Sequence, residues 1–459
     1  MVQNIRMGKK KILLLSDDLR LTSGIGTMSK EFVLGTVDKF TWLQVGAGVN
    51  HPDKGKIIDV SEDVRNKTGV VDADVKVIPF DGYGNISTIR KLLSSEKFDA
   101  ILHFTDPHYW VWLYENEHEI RQTTPILYYH IWDNLPDPLY NRNYYECCDW
   151  LGCISKQTYG IVNRVGKLTT QSTWKPLEDW QVSYVPHGIN ETVFKPLDKI
   201  SDETKSLVYG DKKYDFILFY NNRNIRRKQP SDVIYSYKLF CDKLPKEKAD
   251  KCLLLMHTTP VDVNGTDLFA VKDALCPNYD VKIMNTKVEQ DKLNELYNIV
   301  DCTINIANNE GFGLTTAESV MSGTPIIVNV TGGLQDQCGF NYDAEDYIKI
   351  ETLHDKDKYG SVPHGSWVVP VWPSSINING SVATPYIFDD RVNDNEVADA
   401  IMTIYKWSKK ERKKRGLEGR KWAIENLSSK IMCDKMAEGI ETAIKNFKPR
   451  KKYDLYKII

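Results

Sequence analysis

The chain has 459 residues, 41% of them hydrophobic, and a formal net charge of −2, a length that calls for two or more domains rather than a single core. From Lys409 onward 16 Lys and Arg stand against 7 Asp and Glu, about +9, which leaves about −11 for the rest. No apolar run approaches the ~20 residues of a membrane span. The basic N-terminus runs into acids without a cleavage-site pattern, and the nine cysteines are scattered without CxxC pairs, so reduced thiols and a cytoplasmic location are expected.

In chain order, the first apolar runs are KILLL (11–15), DAILHF (99–104), PILYYH (125–130) and WLGCIS (150–155). A second set follows: DFILFY (215–220), CLLLMH (252–257), VKIM (281–284), DCTINI (301–306) and PIIVNV (325–330). Runs this short and this apolar are the pattern of parallel strands covered by helices on both faces. The segments between them, such as EQDKLNELYNIV, carry apolar residues at helical spacing. The alternation predicts an α/β fold of two Rossmann-like, doubly wound domains, with a cleft outside the carboxyl ends of their strands. The polar, aperiodic stretch 186–213 separates the two sets. Domains over 1–200 and 201–427 are therefore predicted, with an irregular insertion at about 335–390. A C-terminal helix over 428–459 is expected to cross back to the first domain.

Three stretches carry chemistry. DDLRLTSGIGTMSKEF (17–32) follows the first strand, and Gly24 and Gly26 allow a turn that brings backbone N–H groups to the cleft. Ser29 stands where the dinucleotide pattern GxGxxG needs its third glycine, so this is a weak NAD signal. FYNNRNIRRKQP (219–230) places Arg223 and Lys228 in a strand-end loop. Such a loop can clamp a pyrophosphate, with Arg forking to two oxygens and Lys acting as a point charge; a solvated basic turn is the plain alternative.

NNEGFGLTTAESVMSGTPIIVNVTGG (308–333) is the third stretch. Gly311 and Gly313 permit a tight turn, Thr315 or Thr316 is expected to cap a helix running to about Ser322, and the helix N-terminus offers free N–H groups. Glu310 and Glu318 are better acceptors for hydroxyls than partners for phosphate. The pair suggests two polyols, such as a sugar and a ribose, against the plain alternative of two solvated acids. Asp72/Asp74 and Asp355/Asp357 form Asp-x-Asp pairs, but 62 acids in 459 residues produce about eight acid-x-acid matches by chance. No His/Cys cluster has zinc spacing, so no metal is expected.

In this order and on these elements, the three stretches resemble the retaining GT-B glycosyltransferases, the group that includes glycogen synthase, sucrose-phosphate synthase and many bacterial mannosyl- and glucosyltransferases. Its Glu-x7-Glu signature is matched from Glu310 to Gly333, and its Arg-x4-Lys pair by Arg223 and Lys228. VSYVPHGINETVFKP (182–196) resembles the interdomain segment, with His187 where Asn is usual, and residues 281–301 resemble the segment whose loop contacts the nucleotide base. The resemblance implies that Arg223 and Lys228 bind the donor diphosphate and that Glu318 accepts from the ribose. It implies that Glu310 holds the donor sugar beside the N–H groups of Gly311, Phe312, Gly313 and Leu314. Gly24 and Gly26 would approach the phosphates. His130 would lie near the transferred sugar, a core histidine being its plain alternative.

The implied reaction is hexosyl or pentosyl transfer from a nucleotide-diphosphate sugar, UDP-sugar first, with retention and without a cofactor. Some departures, GGLQDQ (332–337), NRNIRRKQ and the long 335–390 segment, look more like glycosyltransferases of large bacteriophages. With the basic C-terminal region and the aromatic clusters at 108–114 and 130–150, they make a hydroxymethylated pyrimidine in double-stranded DNA a candidate acceptor, beside a protein, a glycan or a small molecule. A sugar epimerase or phosphorylase, or a non-catalytic nucleotide-sugar or DNA-binding module, is the competing class. Retention of Arg223, Lys228, Glu310 and Glu318 together argues against decay to a binding module.

Overall fold

Strand β1 (Lys10–Asp17) buries Ile12, Leu13, Leu14 and Leu15 completely, as a parallel strand does when helices cover both faces. In the computed structural model, which describes residues 8–169, 175–341 and 362–452, β1 lies inside an eight-stranded sheet. Its companions are β2 (Phe40–Ala47), β3 (Ile58–Asp59), β4 (Val75–Pro79), β5 (Ala100–Phe104), β6 (Ile126–His130), β7 (Trp150–Cys153) and β8 (Val182–Tyr184), in the order β3-β4-β2-β1-β5-β6-β7-β8. Every neighbouring pair is parallel except β3 and β4.

The second domain repeats the plan. Strands β9 (Phe216–Asn221), β10 (Cys252–His257), β11 (Val281–Met284), β12 (Cys302–Asn305), β13 (Ile326–Asn329) and β14 (Val368–Val371) form a parallel sheet in the order β11-β10-β9-β12-β13-β14. β15 (Ser375–Asn379) and β16 (Ile387–Arg391) make a separate antiparallel hairpin.

Three elements differ from expectation. β2 is not a uniform apolar run, because Gln44 interrupts it. Gln44 is nonetheless 1% exposed; its amide donates to Ser16 Oγ (2.7 Å) and Asp17 O (2.8 Å) and accepts from Leu19 N (3.0 Å). A fully bonded amide is tolerated in a core strand. The segment 335–390 is not simply irregular: it completes a buried 3-10 turn (Gly332–Cys338) and supplies β14 and the β15–β16 hairpin; positions 342–361 lie outside the described residues. Within the expected linker, residues Asp202–Tyr209 form a helix capped by Ser201, whose Oγ accepts from Thr204 N at 3.2 Å.

The chain finishes with helices Lys409–Leu427 and Ser429–Asn446. The first packs on helix Leu314–Met321 of the second domain. The second lies on the first domain, where Met432, Met436 and Ile440 are buried in one cluster with Phe32 and Trp150. Ile189 N donates to Leu427 O at 2.8 Å, and Ser429 N returns a bond to Ile189 O at 3.1 Å. The crossing is thereby stapled at the junction between the two helices. No helix among the described residues is long and apolar enough to cross a membrane.

Candidate active-site cleft

A doubly wound sheet has one position where the connections leave to opposite sides, and a crevice opens there at the carboxyl ends of the strands. In the first domain that position lies between β1 and β5, and in the second between β9 and β12. The loops at these points face each other across a cleft of about 890 Å³. Ser23 and Gly24 after β1, Asp106 after β5 and Asp133 after β6 line one side, with Arg223, Lys228 and Glu310–Thr315 on the other. Met284, Asn285 and Lys287, from the segment expected to meet a base, line it too.

At the centre, Lys228 Nζ donates to Glu310 Oε2, and both side chains are almost fully buried. Burial pulls the Lys228 ammonium below the ordinary lysine value, with Glu310 opposing. Burial alone would raise the Glu310 carboxyl, but Lys228 and then Arg227 outweigh it and hold the carboxyl below the usual range. Glu310 is therefore held as a carboxylate facing Lys228 Nζ. Lys228 is thus not part of a solvated basic turn. Arg223 is exposed on the cleft wall and makes no salt bridge among the described residues.

The loop beside the pair is held from behind. Gly313 adopts φ +89°, a left-handed conformation that strains any other residue. Gln337 Nε2 donates to Phe312 O (2.7 Å) and Gly313 O (2.9 Å), while Gly333 N donates to Glu310 O at 2.8 Å. A Cβ on Gly333 would sit 2.3 Å from Gly311 O. The unusual GGLQDQ stretch is thus the clamp of this loop. The helix Leu314–Met321 begins at Gly313 and has no side-chain cap. The expected Thr cap is corrected, since Thr316 Oγ1 turns back to Gly313 O at 3.0 Å. Without a capping side chain the first-turn N–H groups are left for a ligand at the cleft.

Glu318 does not line the cleft. It lies farther along the helix, partly buried, and accepts from Tyr297 Oη at 2.8 Å. Tyr297 accepts from Asn221 Nδ2 (2.9 Å), and Asn221 Oδ1 meets His257 Nδ1 (2.9 Å). This chain links Glu318 to Asn221 and His257, both in the cleft wall. Burial pushes the Glu318 carboxyl up to about 7, with Tyr297 opposing.

Two further expectations are corrected. His130 is 1% exposed, and its Nε2 bonds Tyr145 Oη at 2.9 Å. Burial pulls its imidazole down to about 3, so it is a neutral core histidine behind the cleft. The residues that do reach the cleft from this strand end are Ile131, Trp132 and Asp133. Gly26 packs on the Asp18–Leu21 turn, where a Cβ would lie 2.8 Å from Leu21 O; Gly24 alone of the two lines the cleft.

Sequence reasoning passed over Asp133 and Arg227, and marked His187 only as a departure from the usual Asn. Arg227 bridges Asp133 at 3.4 Å and donates to Asn309 O at 2.6 Å. His187 stacks edge-on to Phe312 with centroids 5.1 Å apart and shares a 2.8 Å hydrogen bond with Tyr129 Oη. Burial pulls its imidazole down to about 3. The signal for Asp133 was its place just after a strand end, and for His187 its substitution for a usual Asn. Asp72 and Asp74 pair with Lys9 and Lys76 and do not line the cleft, while Asp355 and Asp357 lie outside the described residues. Among the described residues, no group of three or more His, Cys, Asp or Glu is placed to hold a metal ion.

No family model matches the chain, and no curated protein matches it. Solved structures do. HepE of Anabaena, in complex with UDP and glucose, superposes with TM-score 0.61 at 13% identity, over 94% of this chain and 100% of that one. Sucrose-phosphate synthase of Thermosynechococcus elongatus gives 0.61 at 14%, over 93% and 97%. A trehalose-6-phosphate protein of E. coli, bound with UDP-2-fluoro glucose, gives 0.64 at 13%, over 96% and 100%. Two doubly wound domains on largely parallel sheets, with their strand ends facing across a cleft, and a closing helix returned to the first domain, give this chain the GT-B fold.

Proposed function

We propose that the protein transfers a sugar from a UDP-sugar to an acceptor hydroxyl with retention of configuration. The observation that carries this reading is the convergence of Arg223, Lys228, Glu310 and the clamped Gly311–Leu314 loop on one interdomain cleft. Similar folds binding UDP with glucose or UDP-2-fluoro glucose support UDP as the nucleotide.

When the anomeric C–O bond breaks, negative charge grows on the diphosphate. Arg223 and Lys228 stabilise that charge more in the transition state than in the ground state. A bound diphosphate gives Lys228 a second anionic partner, which frees Glu310 to accept from hydroxyls of the donor sugar. The N–H groups of Gly311–Leu314 complete the cradle. The departing phosphate oxygen takes the acceptor proton on the same face, so no separate carboxylate base is required.

The test is to incubate the protein with UDP- and GDP-hexoses, measure release of the nucleotide, and determine the anomer of the product by NMR. Absence of UDP-sugar binding would remove the reading, and an inverted product would remove the mechanism. Because fixed cations serve the leaving group, turnover is expected to persist in EDTA. Loss on chelation, restored by Mg²⁺ or Mn²⁺, would instead require a metal-bridged donor.

If Glu318 accepts from the ribose, it must do so as a carboxylate. Its carboxyl titrates at about 7, so UDP-glucose affinity should fall as pH drops below that value. The fall should reach up to about tenfold per pH unit. Calorimetric titration from pH 8 to pH 6 checks this, and Glu318→Gln should flatten the profile. An equally steep profile in the variant would assign the titration to another group.

Part of the aromatic argument for a DNA acceptor is weakened, although Tyr109 is 57% exposed and Trp132 lines the cleft. Trp110, Tyr145 and Trp150 are completely buried and Tyr114 is 5% exposed; these rings fill the first-domain core. In the basic region, Arg412 pairs with Asp301 at 2.6 Å and Arg420 bonds the carbonyls of Glu191, Phe194 and Met321. Those cations hold the fold together.

A further inference from the structure

Next to the donor cleft lies a second cavity of about 650 Å³, walled on its outer side by the β15–β16 hairpin. The two cavities share Trp132, Asp133 and Arg227, so the second opens onto the first at the residues beside Glu310. A Cβ on Gly311 would stand 3.8 Å from Asp133 Cβ, which puts Asp133 at the common mouth.

The hairpin is fixed from both domains. Asn134 Nδ2 donates to Phe388 O at 3.2 Å, and Tyr140 Oη donates to Tyr386 O at 2.9 Å. From the second domain, Asn329 Nδ2 donates to Asp390 O (2.7 Å) and Thr331 Oγ1 to Asp390 Oδ2 (2.6 Å). The cavity therefore has a preset shape, which lowers the ordering cost of binding.

Its lining is polar and nearly neutral. Asn308, Asn309, Asn377 and Asn379 supply amides; Asn309 Nδ2 donates to Phe388 O and Asn379 Nδ2 to Asp389 Oδ2, which leaves each a second N–H and its carbonyl oxygen. Three arginines (226, 227, 391) face two aspartates (133, 389) there. Arg227 pairs with Asp133, and Arg391 is neutralised by Asp232 at 2.7 Å. Amides and carboxylates around one indole suit a sugar, whose hydroxyls both donate and accept and whose C–H face can lie on a ring. A polyanion would need a larger excess of cations than the single arginine by which this lining exceeds its aspartates.

We infer that this cavity is the acceptor site and that the acceptor is a neutral glycan, its reacting hydroxyl beside Asp133. The inference rests on the glycosyl-transfer reading. In the transfer, the bond from the donor anomeric carbon to the phosphate oxygen breaks and a bond from that carbon to the glycan oxygen forms. The glycan hydroxyl proton passes to the departing phosphate, so the products are UDP and the extended glycan.

The hairpin provides the test, since Asn377 and Asn379 are exposed and absent from the donor cleft. The full chain, saturated with UDP, is titrated with neutral tetrasaccharides of glucose, mannose and galactose, and separately with a hydroxymethylcytosine duplex at low salt. At least one tetrasaccharide should bind. The double variant Asn377→Ala/Asn379→Ala should weaken it about tenfold or more while leaving the UDP affinity and the melting temperature unchanged. Equal glycan binding in the variant, binding of the duplex alone, or binding of neither would overturn the inference while UDP binding stands. If UDP itself fails to bind the unaltered protein, the donor reading falls, and this inference falls with it.

Discussion

Lys228→Ala is expected to lower turnover with a UDP-sugar at least about 100-fold, because it removes a fixed cation from the charge developing on the leaving phosphate. It should also destabilise the protein. Glu310 would keep its buried carboxylate without the ammonium that now neutralises it, and breaking one side of a buried pair costs about 3 kcal/mol or more. Arg227, which also faces Glu310, offsets part of that loss. The double variant Lys228→Ala/Glu310→Ala should recover much of the melting temperature and none of the turnover. A single variant that kept near-normal turnover would remove Lys228 from the leaving-group site. One that kept its melting temperature would mean that the ion pair is not integral to the unliganded fold.

Arg223→Ala should cost a similar factor in turnover, at least about 100-fold, by the same electrostatic argument. Its effect on the fold should be small. Arg223 is exposed and makes no salt bridge among the described residues, and surface substitutions of this kind change stability by no more than about 0.5 kcal/mol. Steady-state kinetics with a UDP-sugar and thermal melting, run side by side, separate the two basic residues. Both should fail in catalysis and only the lysine variant should melt early. Normal turnover in Arg223→Ala would leave diphosphate binding to Lys228 and the loop N–H groups.

The local pattern determined the strand–helix alternation. KILLL, DAILHF, PILYYH and the five runs of the second set each became a parallel strand; burial on both faces favours apolar residues along the inner strands, while VKIM, at the sheet edge, is buried only at Met284. The motif spacing also put Arg223, Lys228 and Glu310 on strand-end loops. Once the strand order reverses beside β9, both loops must open on the same crevice.

What the sequence did not determine was which of these groups touch each other and which face solvent. Lys228 and Glu310 are 82 positions apart, and nothing local says that they form a buried pair. His130 and Asp133 are three residues apart at one strand end. Only the packing of Tyr145 on one side, and of the Gly311 loop and Arg227 on the other, makes the first a core residue and the second a cleft residue. Gln44 shows the same dependence, since a polar residue reads as a strand break until its three partners are in place. The hairpin escaped for a further reason. β15 and β16 are short, and β15 is exposed throughout, so neither carries the apolar signature of a core strand. Their position is set by bonds to Asn134 and Tyr140 of the other domain, and contacts that distant along the chain exist only after both domains have folded.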